Sequence, residues 1–256
     1  MEKGIIVAAT HHIEWMLPWW WYNYQAHNNL PVVFFDLGLS QKAKDFCSSK
    51  GLVLPLEISD SLVFGKEQVS PATAHLWEKI MGSGIWDIRL KWFKKPYAFL
   101  ASPFDQTLWL DLDCEVRASL TPLFAFAENP LGLSMTREPE PLQQGFRSLG
   151  ILHQNEVLYN SGVVPFCKNT PILSLWVKEV ETNNHAYIGD QEALSRLLFL
   201  QKSSFPEIPS LYNWDRGLGP NSEAFVFHWH GQQGKALIKE QMQALSSLGF
   251  LQNLEL

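Results

Sequence analysis

Asp111 and Asp113 are the residues whose type and spacing first suggest chemistry in this chain. They close an apolar run, residues 108–110, that reads as a buried strand. If strand geometry persists through them, alternation points both carboxylates to one side. Two hard oxygen ligands at that spacing suit a divalent cation such as Mg²⁺ or Mn²⁺. In open α/β sheets, ligands bind at the C-terminal edge that such a strand reaches, and a cation held there can bridge to a diphosphate. A strand running into an acidic turn would give the same residues, so the tripeptide alone does not decide.

Other candidates stand further along. His228 stands within an apolar run at 225–229 and His230 just after it, and Asn160-Ser161-Gly162 stands at the head of another at 159–166. Gly189-Asp190-Gln191-Glu192 opens a helical pattern that runs to about residue 200. Arg89, Lys91, Lys94 and Lys95 form the densest basic group, just ahead of the acidic strand, in a helix that Pro96 is expected to end. Each has a plain alternative: a strand-entry turn for 160–162, a helix N-cap for Asp190, and a surface ion pair for Arg89. A loop histidine with no ligand role is the alternative for whichever of His228 and His230 is not used.

The elements that must position these residues alternate from the start. Residues 4–10, 31–37 and 51–56 read as apolar strands. Helical segments at 13–27, interrupted or kinked at Pro18, and from about residue 41 separate them. This β-α-β-α-β order is the signature of a parallel sheet covered by helices. No Gly-x-Gly-x-x-Gly follows the first strand, which counts against an ordinary dinucleotide site. Helices are expected at 70–81 and 171–181, an extended segment at 208–214 and a packing helix from residue 235. The Pro- and Gln-rich stretch 137–150 reads as a long loop of the kind that binds or covers ligands. The first helix carries Trp15, Trp19, Trp20, Trp21, Tyr22 and Tyr24 on more than one face. It is either buried between sheet and loop or an interfacial patch for peripheral membrane contact.

Composition sets outer limits. With 256 residues and 46% hydrophobic content the chain can bury a large core, and no linker or repeat divides it, so one domain over 1–256 is expected. A net charge of −6 with no basic run argues against nucleic acid as a partner. Cys47, Cys114 and Cys167 lack metal-site spacing and fit a reducing, cytoplasmic setting. The opening apolar run is too short for a signal peptide or a membrane span.

Five blocks in order resemble the family-8 glycosyltransferases, retaining nucleotide-sugar enzymes that include glycogenin. They are Leu-Asp-Leu-Asp-Cys-Glu-Val (110–116), Tyr-Asn-Ser-Gly-Val-Val (159–164), Gly-Asp-Gln-Glu-Ala-Leu (189–194), Ile-Pro-Ser-Leu-Tyr-Asn-Trp (208–214) and His-Trp-His-Gly (228–231). The resemblance implies a single α/β domain of GT-A fold, Rossmann-like, with a mixed central sheet. It implies Mn²⁺ or Mg²⁺ held by Asp111, Asp113 and His228, and a UDP-sugar donor. Ala8, Thr10, Arg89, Asn160, Gly162, Gly231 and Lys235 would join Asp111 around that donor, and Asp190 and Gln191 would flank the transferred sugar. The acceptor would be a glycan, lipid or protein. Two departures stand out. His11 and His12 replace the Asp and Tyr that usually hold the uridine, and Gly234 takes the usual lysine position, with Lys235 one residue later. A catalytically silent relative that binds sugar or a partner is the alternative reading. A nucleotidyltransferase is a third, but residues 10–14 offer no Gly- and basic-rich triphosphate loop.

Overall fold

In the computed structural model, which describes residues 2–250, the strands run β1 (Lys3–Ala9), β2 (Val32–Asp36), β3 (Leu52–Pro55), β4 (Gln106–Leu110), β5 (Cys114–Val116), β6 (Thr136–Arg137), β7 (Tyr159–Asn160), β8 (Val163–Cys167), β9 (Trp214–Asp215) and β10 (Val226–His228). The main sheet has the order β3-β2-β1-β4-β8, parallel except for β8, which runs antiparallel to β4. It is the mixed central sheet that the sequence leads one to expect.

Both faces of this sheet are covered, which is why its strands are apolar at nearly every position. Ile5, Val7, Val32, Phe34, Leu108 and Leu110 pack on one face, and Ile6, Val33, Phe35, Trp109 and Val164 on the other. The helices are α1 (Leu17–Gln25), α2 (Gln41–Ser48), α3 (Pro71–Met81), α4 (Ile85–Trp92), α5 (Lys95–Leu100), α6 (Glu140–Ser148), α7 (Pro171–Asn183), α8 (Asp190–Leu200) and α9 (Gly231–Ser247). Side chains of α1, α2 and α9 fill the first core, and those of α5, α7 and α8 the second. No helix among the described residues is long and apolar enough to cross a membrane.

A second, small sheet does the positioning. β10 pairs antiparallel with β5, setting His228 opposite Cys114, and parallel with β9. The Trp229 amide donates to the Asp113 carbonyl at 2.8 Å. Chain segments more than a hundred residues apart therefore meet just beyond the end of β4.

Several local expectations need correction. Strand geometry does not persist through the acid pair: β4 ends at Leu110, and residues 111–113 turn, closed by the Cys114 amide on the Asp111 carbonyl at 3.1 Å. Pro96 does not end a helix but sits in the first turn of α5, where its missing N–H has no helical partner to lose. Pro18 likewise stands in the first turn of α1, and the interruption falls just before it, where a 3₁₀ turn at Glu14–Met16 gives way to the helix. The expected loop at 137–150 contains α6, with Pro141 again in its first turn and Phe146 and Gln143 facing inward. The extended segment at 208–214 holds a 3₁₀ turn, Ser210–Tyr212. Of the aromatic helix, Trp19, Trp20 and Tyr24 are fully buried, while Trp15, Trp21 and Tyr22 are partly exposed. Trp20 stacks on Tyr24, and Trp19 Nε1 donates to Gln241 Oε1 of α9 at 2.9 Å.

Candidate active site

Asp111, Asp113 and His228 converge where β4 and β10 end, each offering a ligand atom within 4.8 Å of the others. His228 Nε2 lies 3.2 Å from Asp113 Oδ1 and 3.9 Å from Asp111 Oδ2. The imidazole is almost wholly buried. Burial acts to lower its pKa, but the Asp113 carboxylate beside it outweighs this and raises it. Asp113 is pushed well below the usual carboxylate range: burial opposes this, and His228 and Lys235 prevail.

A chain of hydrogen bonds fixes the ring. Glu138 Oε1 accepts from Asn160 Nδ2 at 2.9 Å, so Asn160 presents its oxygen to Asn213 Nδ2, 2.8 Å away. Asn213 must then turn its own oxygen to His228 Nδ1, at 3.0 Å. In the neutral ring the proton sits on Nδ1, and the Nε2 lone pair faces the two aspartates. Gly162 makes room for this arrangement. A Cβ there would collide with the His228 ring and crowd Asn160 Oδ1, so Asn160-Ser161-Gly162 is spaced for close packing as well as for a turn.

Lys95 supplies the opposite charge. As the first residue of α5 it sends Nζ to within 3.0 Å of Asp111 Oδ1, 3.0 Å of Ser161 Oγ and 3.2 Å of the Ser161 carbonyl. Asp190 Oδ2 lies 3.6 Å away and accepts from Ser161 Oγ at 2.9 Å. One buried ammonium thus ties the acid pair to Asp190. Burial raises the Asp190 pKa and Lys95 only partly offsets that. Gln191 Nε2 points to Glu138 Oε1 at 3.2 Å.

The remaining candidates divide between the site and its surroundings. Arg89 is fully buried, packed at 4.4 Å over Trp77, and its one hydrogen bond among the described residues goes to the Asn184 carbonyl. Of the basic group it is Lys95, not Arg89, that meets the acids. His230 is held by Asp215 at 2.9 Å, with its ring 5.5 Å from His228. Gly231 takes a positive φ of 78° where β10 turns into α9. Lys235 Nζ reaches Asp113 Oδ2 at 3.1 Å. Ala8 and Thr10 stand at the C-terminal end of β1, with His11 beyond, paired to Glu14. The donor set (two carboxylates and an imidazole with its far nitrogen already satisfied) fits a hard or borderline divalent cation.

No protein-family model matches this chain, and no curated protein matches it in sequence. Solved structures do match. Galactosyltransferase LgtC, in complex with donor and acceptor sugar analogs, is similar at TM-score 0.61 over 96% of this chain and 95% of its own, with 15% identity. Mouse xyloside xylosyltransferase 1 gives 0.56 over 89% and 97%, at 13% identity. The glycosyltransferase GlyE of Streptococcus pneumoniae gives 0.58 over 95% and 64%, at 14% identity. The chain has the GT-A fold of glycosyltransferases.

Within this GT-A chain, Glu138, Ser161 and Asn213 are the site residues that sequence reasoning passed over. Ser161 and Asn213 lay inside recognised blocks, so their signal was present but unassigned. Glu138 had none: its partners Asn160 and Gln191 are 22 and 53 residues away.

Proposed function

We propose that this chain is a metal-dependent, retaining glycosyltransferase of the family-8 type, with residues 1–256 forming one GT-A domain in the cytoplasm. It would transfer a hexose from a nucleotide sugar, UDP-hexose foremost, to a glycan, lipid or protein acceptor. The observation that carries this reading is the meeting of Asp111, Asp113 and His228 at the sheet edge, with Asp190 joined to them through Lys95.

Asp111, Asp113 and His228 would hold Mn²⁺ or Mg²⁺, which as a Lewis acid offsets the charge that builds on a departing diphosphate. Asn213 keeps the imidazole turned toward that position. Asp190 and Gln191 are the carboxylate and amide that would face a sugar whose anomeric carbon becomes cation-like. Lys95 holds Asp190 in register with the acid pair, and Lys235 offers an ammonium to the phosphates.

The test is calorimetric titration of UDP with and without Mn²⁺. Binding that needs Mn²⁺ and vanishes in Asp111→Ala and Asp113→Ala, with the fold retained, supports the proposal. Equal binding in the parent and both variants would sink it. One observation favours the silent-relative alternative: Arg89, the expected donor contact, is sealed among Trp77, Trp86 and Phe93. Incubation with UDP-glucose or UDP-galactose and Mn²⁺ separates the two, since a silent relative releases no UDP.

A further inference from the structure

Each aspartate of the acid pair carries its own ammonium group: Lys95 lies 3.0 Å from Asp111 Oδ1 and Lys235 lies 3.1 Å from Asp113 Oδ2. The two ammonium groups offset much of the charge that would attract a cation on its own, although Lys95 is shared with Asp190. The two lysines differ in freedom. Lys95 is buried and also anchored to Ser161 through both its carbonyl and its hydroxyl. Lys235 has Asp113 as its one hydrogen-bond partner among the described residues, and its side chain is 29% exposed. It is the fifth residue of α9, and its flexible four-carbon stem can swing.

The turn before α9 keeps a lysine out of position 234. A Cβ on Gly234 would collide with the Trp229 carbonyl, so no side chain fits there, and the nearest lysine is Lys235. The one-residue displacement of the lysine in the late motif is thus built into the backbone.

We propose that Lys235 is a movable counter-charge that makes the uptake of cation and diphosphate interdependent. Resting on Asp113, it opposes a divalent cation arriving alone. When a diphosphate arrives too, Lys235 transfers to the phosphate oxygens, which are strong partners for an ammonium, and the carboxylates are left to the cation. This inference rests on the metal and nucleotide reading above. It adds that the coupling passes through one side chain, and linkage requires the coupling to be reciprocal.

The experiment measures free Mn²⁺ by electron paramagnetic resonance in titrations of the intact chain, with and without UDP. It compares the parent with Lys235→Met and Lys239→Met. Lys239 lies on the same helix with its ammonium over the Trp15 ring, so its loss gives the same change in net charge without touching the acids. Lys235→Met is expected to bind Mn²⁺ alone about threefold more tightly than the parent. The factor by which UDP strengthens Mn²⁺ binding should fall about tenfold, while Lys239→Met follows the parent. A Lys235→Met variant with the parent's Mn²⁺ affinity and the parent's UDP enhancement overturns the inference, as does a Lys239→Met variant that behaves like Lys235→Met. If the parent binds no Mn²⁺ even with UDP, the metal and nucleotide reading fails first and takes this inference with it.

Discussion

Asn213 Oδ1 accepts the Nδ1 proton of His228 at 3.0 Å, and by doing so it aims the other ring nitrogen at the acid pair. Partners of this kind set ligand orientation, and their loss typically costs about 10–100-fold in metal affinity. Asn213→Leu keeps the shape and removes the acceptor. Mn²⁺ affinity in the presence of UDP should fall by that factor. Far-UV circular dichroism should be unchanged.

Gly162 is the second support of the same ring. A methyl group at 162 enters space that His228 occupies, so Gly162→Ala must displace the imidazole or the start of β8. Overpacking of this kind costs about 1–3 kcal/mol. Urea denaturation should record that loss together with the loss of Mn²⁺-dependent UDP binding. A variant that keeps full stability and full binding would show that the ring has room to spare.

Why some of this was legible in the sequence and some was not follows from range. The sheet could be read because β1, β2 and β4 are short apolar runs ended by polar or small residues, a signal carried entirely within each segment. The convergence of Asp111, Asp113 and His228 needed five ordered blocks, because the pairing of β10 with β5 links residues more than a hundred positions apart. Prolines misled the reading twice, at 96 and 141. A proline excluded from a helix interior is well suited to its first turn, and sequence alone does not say which position it holds. The same ambiguity hid Lys95. Only the break between α4 and α5 rotates it into the site while Arg89 stays in the hydrophobic interior.

Lys95→Met tests how much the internal cation holds together. Removing one partner of a buried ion pair leaves the other charge uncompensated, at about 3–5 kcal/mol. Here Asp111 and Asp190 would both lose their ammonium. Scanning calorimetry should show a melting temperature lowered by about 6–20 °C. Mn²⁺ with UDP should recover part of it, because a ligand that binds only the folded state stabilises it.

Glu192 gives the pH dependence a sign. Burial first, and then the nearby Asp190 charge, raises its pKa from 4.5 to about 7. Its Oε2 caps α8 by accepting from the Gly189 amide at 2.9 Å. A carboxyl that holds its proton more tightly when folded favours the folded state at low pH. That contribution is full below about 4.5, declines as pH rises toward 7, and above 7 the folded protein bears the whole cost of a buried charge. The span corresponds to an upper limit on the order of 3 kcal/mol. Glu192→Gln retains an acceptor for the Gly189 amide and removes the charge. Denaturation series at pH 5 and pH 8 should show the variant more stable than the parent at pH 8, with little difference at pH 5. Equal differences at both values would mean that Glu192 does not titrate in this range.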